Sequence, residues 1–179
     1  MMKNKKILLG ALIVATLVII GSILFVLKQP TIPTITPSES NFNLIFKYGV
    51  GAGNELNTFK GIYTKGMVTD SPITVNLSLS KDDLNKIYQK IIKINFFNYP
   101  DKFSVSILFG ETVGEVTPHS SYYFKIKYNS KVKELWWEDN IVNKDEKTEK
   151  LRGLVRLIID IIESKEEYKK LPPPRGGNL

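Results

Sequence analysis

The sequence predicts an α+β domain behind an N-terminal transmembrane helix. The domain is expected to contain an antiparallel sheet of about five strands and two helices packed on one face, in the order β-β-α-β-β-β-α. Three observations carry this prediction. Residues 7–27 form an uncharged apolar run, several segments show strand-like alternation, and two segments show helical apolar spacing. The alternative is a split sheet with the helices on opposite sides.

The apolar run places the chain at a membrane. Its 21 residues would span roughly 32 Å as a helix, about the thickness of a bilayer core. Lys3, Lys5 and Lys6 precede the run, and only Lys28 follows it closely. The positive-inside rule therefore puts residues 1–6 in the cytoplasm. We predict a single-pass cell-membrane protein that contacts the lipid bilayer through this signal anchor and has its C-terminal domain outside.

A cleaved signal peptide is the alternative interpretation of the run. Its apolar core usually has about 7–15 residues and ends in a small-residue cleavage site. The run is longer than that, and residues 27–30, LKQP, are not such a site. The sequence therefore favours an uncleaved anchor, and the absence of cysteine excludes a lipoprotein anchor.

Composition excludes several classes of function. From residue 41 onward the chain has 21 Lys and Arg against 17 Asp and Glu, a net charge of only +4. This mild, dispersed excess does not resemble a nucleic-acid footprint, which needs a clustered basic face. Because the chain has no cysteine, disulfides, thiol catalysis and cysteine-based metal sites are excluded as well.

A spacer is predicted between the anchor and the domain. Residues 28–41 contain three prolines among threonines and serines, namely Pro30, Pro33 and Pro37. Each proline restricts its own φ and pushes the preceding residue toward extended conformations. We predict a semi-extended stalk of roughly 30–40 Å, then a domain at residues 42–171 and a Pro/Gly tail at residues 172–179.

The first strand is predicted at residues 42–50, where apolar and polar side chains alternate. Glycines cluster at its end, in residues 49–54. A phosphate-binding loop would need a G-x-G-x-x-G or GK[ST] pattern that leads directly into a helix, and this segment has neither. We interpret the cluster as a turn with positive-φ glycines. Residues 73–79 predict the clearest strand, and residues 59–65 are a candidate for another.

The first helix of the domain is predicted to begin after Ser80 and to end near Asn95. Ser80 can cap it, and Asp83 stands where a capping box needs an acid. The apolar stripe consists of Leu84, Ile87, Tyr88, Ile91 and Ile92. The aromatic exit at residues 96–100 could line a ligand pocket, but such clusters more often close a core corner between helix and sheet.

A strand is predicted at residues 103–109 and a loop at residues 110–120. The loop contains Glu111, Glu115 and His119, whose spacing of four would align them for a metal on a helix. Gly114 and Pro118 argue against a helix there, so we expect a solvated loop and no metal.

Residues 121–129 and 131–138 predict a β-hairpin around an Asn-Ser turn. This register pairs Tyr122 with Trp137 on one face and Tyr123 with Trp136 on the other. Tyr123 and Trp136 are the best surface-binding candidates, for a protein or a glycan partner. Such a pair is more often covered by a loop or by the C-terminal tail, and that alternative stays open.

The last helix is predicted to be capped by Asn143 and to end near Tyr168. Its core stripe consists of Leu151, Leu154, Val155, Ile158, Ile161 and Ile162. Gly153 within it predicts close packing against the sheet. The following prolines predict a stiff strap or a disordered end, with a polyproline ligand as the alternative.

Three stretches resemble those of an uncharacterised family of prokaryotic exported or membrane-anchored proteins. They are residues 57–65 (NTFKGIYTK), residues 87–100 (IYQKIIKINFFNYP) and residues 167–177 (EYKKLPPPRGG). The similarity covers residues 42–179. No activity is attached to that family, so the resemblance implies one domain behind an export signal and transfers no catalytic residue.

These observations predict a non-catalytic, membrane-tethered module that binds a ligand or partner, with no cofactor and no nucleic acid. The alternative is a small extracytoplasmic hydrolase. A glycosidase needs two carboxyls about 5–10 Å apart across a cleft. The loop candidates for that role are Asp70, Asp101, Glu111 and Glu115.

Overall fold

The computed structural model describes residues 41–105, 114–142 and 145–174. They form an α+β fold, which confirms the predicted class, around a mixed sheet of seven strands. The predictions of about five strands, of a purely antiparallel sheet and of the element order are wrong. The predicted anchor at residues 7–27 lies outside the described residues, and within those residues no helix is long and apolar enough to cross a membrane.

The helices and strands form a fold in which nearly all neighbouring strands are antiparallel. In chain order they are β1 Phe42–Tyr48, β2 Asn54–Asn57, β3 Ile62–Lys65, β4 Ile73–Asn76, α1 Lys81–Lys93, β5 Lys102–Phe103, β6 Gly114–Tyr128, β7 Lys131–Val142, α2 Glu146–Glu163 and α3 Glu166–Lys169. The sheet order is β4-β3-β2-β1-β6-β7-β5. Only β5 runs parallel to its neighbour, β7.

One face of the sheet, here called the inner face, forms the core. Cross-strand neighbours make a row from β4 to β7 that consists of Val75, Tyr63, Leu56, Phe46, Phe124 and Leu135. All but Val75 are fully buried. The helical segments pack onto this face, because Tyr88 of α1 meets Phe42 edge-on at 5.6 Å and Phe96 meets Phe124 at 5.3 Å. The predicted apolar stripe of α2 is buried in the same core.

The predicted hairpin register is confirmed. Tyr128 pairs with Lys131, and the pairs Tyr122–Trp137 and Tyr123–Trp136 lie on opposite faces as expected. Asn129 in the turn has φ of 53°, a left-handed conformation that asparagine tolerates.

The predicted loop at residues 110–120 is wrong over its described part. Residues 114–120 belong to β6. Gly114, Glu115 and Ser120 pair with the end of β7, and the register is irregular between Glu115 and Ser120. This stretch pairs with β7 alone, so it lacks the alternation that a strand with one buried face would show. Pro118 falls within the irregular stretch, where a strand can accept a residue without an N–H donor.

Two short strands differ from the prediction, because β2 was not predicted and β5 is shorter than predicted. β2 has the sequence NELN with Leu56 as its one apolar residue, and only its pairing with β1 and β3 makes it a strand. In place of the strand predicted at residues 103–109, β5 covers Lys102–Phe103. Residues 106–113 lie outside the described ranges.

Helix capping is confirmed for α1 and corrected for α2. Asp83 N donates to Ser80 Oγ at 3.1 Å and Ser80 N donates to Asp83 Oδ2 at 3.0 Å, which completes the predicted capping box. Asp145 caps α2, not Asn143, because its Oδ2 accepts from Thr148 N at 3.0 Å. The predicted end near Tyr168 is also wrong.

The long helix α2 ends at Glu163, and Tyr168 belongs to the separate short α3. Lys165 between them has an extended backbone, which breaks the helix. Gly153 allows close packing, but against α1 and not against the sheet. A Cβ at Gly153 would lie 3.0 Å from Lys90 Nζ.

The glycine cluster after β1 is a turn, as predicted. Gly49 and Gly51 have φ of 94° and 60°, values that other residues rarely adopt. Tight packing also requires a glycine nearby, because a Cβ on Gly66 would approach Gly53 O to 2.7 Å.

A candidate binding surface on the outer sheet face

The side chains that point away from the helices form a second surface, here called the outer face. On the three central strands it consists of Asn43, Ile45 and Lys47 of β1, Tyr123, Lys125 and Lys127 of β6, and Val132, Glu134 and Trp136 of β7. Each of these side chains is half-buried or exposed. The outer face is therefore accessible over the described part of the chain.

The structure brings the two predicted binding residues together on this face. The rings of Tyr123 and Trp136 are 6.1 Å apart at an angle of 47°. Trp136 is 38% exposed, whereas its neighbour Trp137 is fully buried. The backbone N–H of Trp136 donates to Asp101 O at 2.7 Å, so the strand that carries the indole is held in place from the β5 side.

Ion pairs surround the aromatic pair. Lys125 Nζ lies 2.8 Å from Glu134 Oε1, and Lys47 Nζ lies 3.1 Å from Glu55 Oε2. Lys47 also stands directly across the ladder from Tyr123. The face thus offers one exposed indole among donors and acceptors of both signs.

The hydroxyl of Tyr123 is part of this charge network. Partial burial raises its pKa, and its hydrogen bond to Glu134 raises it further. Hydrogen bonds from Lys125 and from Tyr123 lower the pKa of Glu134. At neutral pH Tyr123 is therefore a protonated donor to an ionised carboxylate, which orients its ring beside Trp136.

The aromatic exit after α1 closes a core corner, as predicted. Phe96 is fully buried, and Tyr99 is stacked near it at 6.1 Å and donates its hydroxyl to Lys147 O at 3.0 Å. A cavity of about 500 Å³ lies beside Tyr99 and Phe103. Among the described residues that line it, Asp145 is the one carboxylate, and it already caps α2.

A second cavity of about 340 Å³ lies between α2 and the far end of the hairpin. Asp139 lines it, but Arg152 holds both of its oxygens, with Nε at 3.0 Å and a terminal nitrogen at 2.6 Å. These contacts raise the pKa of Arg152. His119 also lines the cavity, with Nε2 at 3.8 Å from Glu138 Oε2.

The loop acids do not form a visible catalytic site. Asp70, Asp101 and Glu115 line neither cavity, and Glu111 lies outside the described residues. Asp101 instead contacts Lys133 Nζ at 2.5 Å. Across residues 41–105, 114–142 and 145–174, no group of three His, Cys, Asp or Glu side chains could hold a metal ion.

Sequence reasoning missed the Arg152–Asp139 clamp and the buried contact between the Tyr48 and Tyr63 hydroxyls at 2.8 Å. Asp139 lies beyond the end of the predicted strand, so the hairpin register did not indicate a contact between Asp139 and α2. The tyrosine contact depends on β2, which carries no alternation and was not foreseen.

No protein-family model matches the chain, and no curated protein matches it either. The resemblance of residues 42–179 to prokaryotic exported or membrane-anchored proteins therefore stays a prediction.

Proposed function

We propose that this protein is a membrane-tethered extracytoplasmic module that binds a protein or glycan partner on its outer face. The observation that carries the proposal is the exposed indole of Trp136 beside Tyr123, on the side of the sheet opposite the helices. The apolar run at residues 7–27 and the proline-rich residues 28–41 support the tether and the spacer.

The chemistry of the outer face suits recognition. Trp and Tyr are enriched where proteins bind partners, because they bury a large area and lose little conformational entropy. The paired charges Lys125–Glu134 and Lys47–Glu55 can hydrogen-bond sugar hydroxyls or polar groups of a protein without leaving an unpaired charge. A ring of polar groups around an exposed aromatic resembles the rim of a binding surface.

A non-catalytic role fits the placement of the carboxylates. A glycosidase needs two carboxyls that face one another across a cleft. In each of the two cavities described above, a lining carboxylate is already engaged, Asp145 as a helix cap and Asp139 in the Arg152 clamp. The hydrolase alternative therefore has no supporting observation in these residues.

Partner capture from membranes tests the proposal. The full chain, tagged at its exported end, is purified from membranes beside the variant Tyr123→Ala, Trp136→Ala. We expect a protein or a glycan to be enriched with the unchanged chain and to decrease at least about tenfold with the variant, since central aromatic residues dominate binding energies.

A matched control separates this effect from general surface changes. Val68→Ala alters another exposed apolar side chain, in the loop after β3, and should leave the capture unchanged. Equal capture by the unchanged chain and the double variant would contradict binding at this face. Protease protection in intact cells tests the compartment separately, because a domain that stays protected while surface markers are cleaved would reverse the proposed orientation.

A further inference from the structure

One cavity of the described chain is not accounted for by the outer face. It has a volume of about 500 Å³ and lies where the end of α1, the strand β5 and the start of α2 meet. Phe103 of β5 lines it and stands across from Trp137, on the inner side of the sheet, whereas Trp136 belongs to the outer face. Cavities that hold small molecules measure about 300–1,000 Å³, so this one is large enough for a small ligand.

Three nearly buried apolar side chains, Ile94, Tyr99 and Phe103, form the floor of the cavity. The Tyr99 and Phe103 rings meet edge-on at 5.4 Å, and Phe103 also packs against Trp137 at 5.9 Å. The Tyr99 hydroxyl is already donated to Lys147 O at 3.0 Å. Because these contacts fix the floor to the close-packed core, it is a preformed apolar surface.

The rim of the cavity is polar and is free to form hydrogen bonds. Asn95, Asn98 and Ser104 line it and are exposed. Within residues 41–105, 114–142 and 145–174 their side chains have no hydrogen-bond partner. Each amide side chain offers donors and an acceptor, and the serine hydroxyl offers both. A ligand that lies on the floor can therefore both donate hydrogen bonds to the rim and accept them from it.

The charges around the cavity favour a neutral ligand. Among the described residues that line it, the charged ones are Asp145, Lys147 and Lys150. Lys150 Nζ pairs with Glu146 Oε1 at 2.6 Å, so Asp145 and Lys147 are left with opposite signs. Burial raises the pKa of Tyr99, and the negative charges of Asp145 and Glu146 raise it further. The potential at the floor is therefore not the positive one that an anion needs, and Lys147 opposes a cation.

A neutral sugar matches an apolar floor with a rim that donates and accepts. The faces of a pyranose ring carry C–H groups that pack on apolar surface, and the hydroxyls around the ring both donate and accept. A wholly apolar ligand would displace water from the rim without replacing its hydrogen bonds.

We propose that this cavity binds a neutral sugar of one or two pyranose rings, which lies on the floor and hydrogen-bonds to Asn95, Asn98 and Ser104. The site is separate from the outer face, so it goes beyond the proposed function and does not depend on partner binding there.

Calorimetric titration of the full chain tests the inference. The protein is kept in a zwitterionic detergent, because the headgroup of a glycoside detergent would compete for the site. Cellobiose, lactose and N,N′-diacetylchitobiose are each added up to about 10 mM, and inorganic phosphate serves as an anionic comparison. We expect a saturable response to at least one of the disaccharides and none to phosphate.

Substitutions at the rim should weaken this binding and leave the fold intact. Asn95 has φ of 55°, a conformation that glycine adopts more easily, so Asn95→Gly removes the amide and preserves the helix end. We expect Asn95→Gly to weaken binding about fivefold, and Asn95→Gly with Asn98→Ala to weaken it more than about tenfold. The control Asn76→Ala removes an exposed asparagine from β4, at the opposite edge of the sheet from β5, and should leave the affinity unchanged. Urea denaturation checks that each variant is folded.

The outcomes separate this inference from the proposed function. A lack of saturable response to all three disaccharides, or a response to phosphate in their place, would overturn the sugar site. Equal affinities of the Asn95→Gly, Asn98→Ala chain and the Asn76→Ala chain would overturn it as well. The variant Tyr123→Ala, Trp136→Ala should bind the sugar as the unchanged chain does. Loss of binding in that variant would move the sugar to the outer face, which would support the proposed function and contradict the cavity.

Discussion

Two adjacent tryptophans show how differently the two faces of this sheet are built. Trp137 on the inner face is fully buried and packs against Tyr122 at 5.0 Å and Phe103 at 5.9 Å. Its indole Nε1 has no hydrogen-bond partner among the described residues. Trp136 on the outer face contacts Tyr123 and remains exposed. One step along a strand therefore separates a core residue from a candidate binding residue.

This difference indicates that the inner face stabilises the fold and that the outer face is suited to binding. The inner face is held by ring contacts and by ion pairs that are partly withdrawn from water, such as Arg152–Asp139. The outer face is held by exposed ion pairs such as Lys125–Glu134, which contribute little to stability. Substitutions on the outer face should thus change binding, and substitutions on the inner face should change folding.

The largest expected contrast is between the two tryptophans themselves. Trp137→Ala should lower the free energy of unfolding by about 3–5 kcal/mol, because it removes a buried aromatic side chain and leaves a cavity. Trp136→Ala should lower it by less than about 1 kcal/mol. Urea denaturation followed by circular dichroism measures both. Similar losses for the two variants would show that the outer face is covered.

A smaller contrast is expected between the ion pairs of the two faces. Arg152→Ala should cost roughly 2–3 kcal/mol, since it leaves the half-buried Asp139 without its two hydrogen bonds. Arg152→Lys should recover only part of this, because an ammonium group cannot form the bidentate contact. Lys125→Ala should leave the urea midpoint unchanged within error. A loss for Lys125→Ala as large as that for Arg152→Ala would contradict the comparison.

The smallest contrast concerns acid stability. Burial alone would raise the pKa of Asp83, but hydrogen bonds from Lys165 and Ser80 outweigh it and lower the pKa. A lowered carboxyl pKa stabilises the fold above the unfolded value of about 3.9, and this contribution is lost as the pH falls through the lower folded value. We expect Asp83→Asn to cost about 1–2 kcal/mol at neutral pH and less below pH ~3.

The matched variant for this test is Glu134→Gln on the outer face. The pKa of Glu134 is also lowered, by hydrogen bonds from Lys125 and Tyr123, but the group is exposed, so its loss should hardly change the acid transition. Urea midpoints of both variants between pH 2 and pH 7 measure the effect. An acid profile of Asp83→Asn parallel to that of the unchanged chain would contradict a stabilising role for the Lys165–Asp83 contact.

Local patterns predicted those parts of the fold that depend on neighbouring residues. The Asn-Ser turn set the pairing of β6 with β7, and with it the opposite orientations of Trp136 and Trp137. The capping box at Ser80 and the apolar stripe of α2 were also read correctly. Each of these features is decided within a few residues or by one hairpin, where periodicity and capping chemistry apply directly.

Prediction failed where a segment is ordered by distant partners. Nothing in NELN indicates a strand, and β2 exists because β1 and β3 flank it. The far part of β6 is extended because Gly114, Glu115 and Ser120 pair with the end of β7. Asp145 caps α2 where Asn143 was expected, because its side chain accepts a hydrogen bond from Thr148 N.

By itself, the sequence determined the α+β class, the hairpin register and the face on which Tyr123 and Trp136 lie together. These features follow because side chains alternate between the two faces of a strand, and because a turn of known length fixes which residues of the two strands pair. Only the tertiary structure decided that the sheet has seven strands and that Trp136 is exposed. Those facts depend on which distant segments pack together, and no local pattern records that.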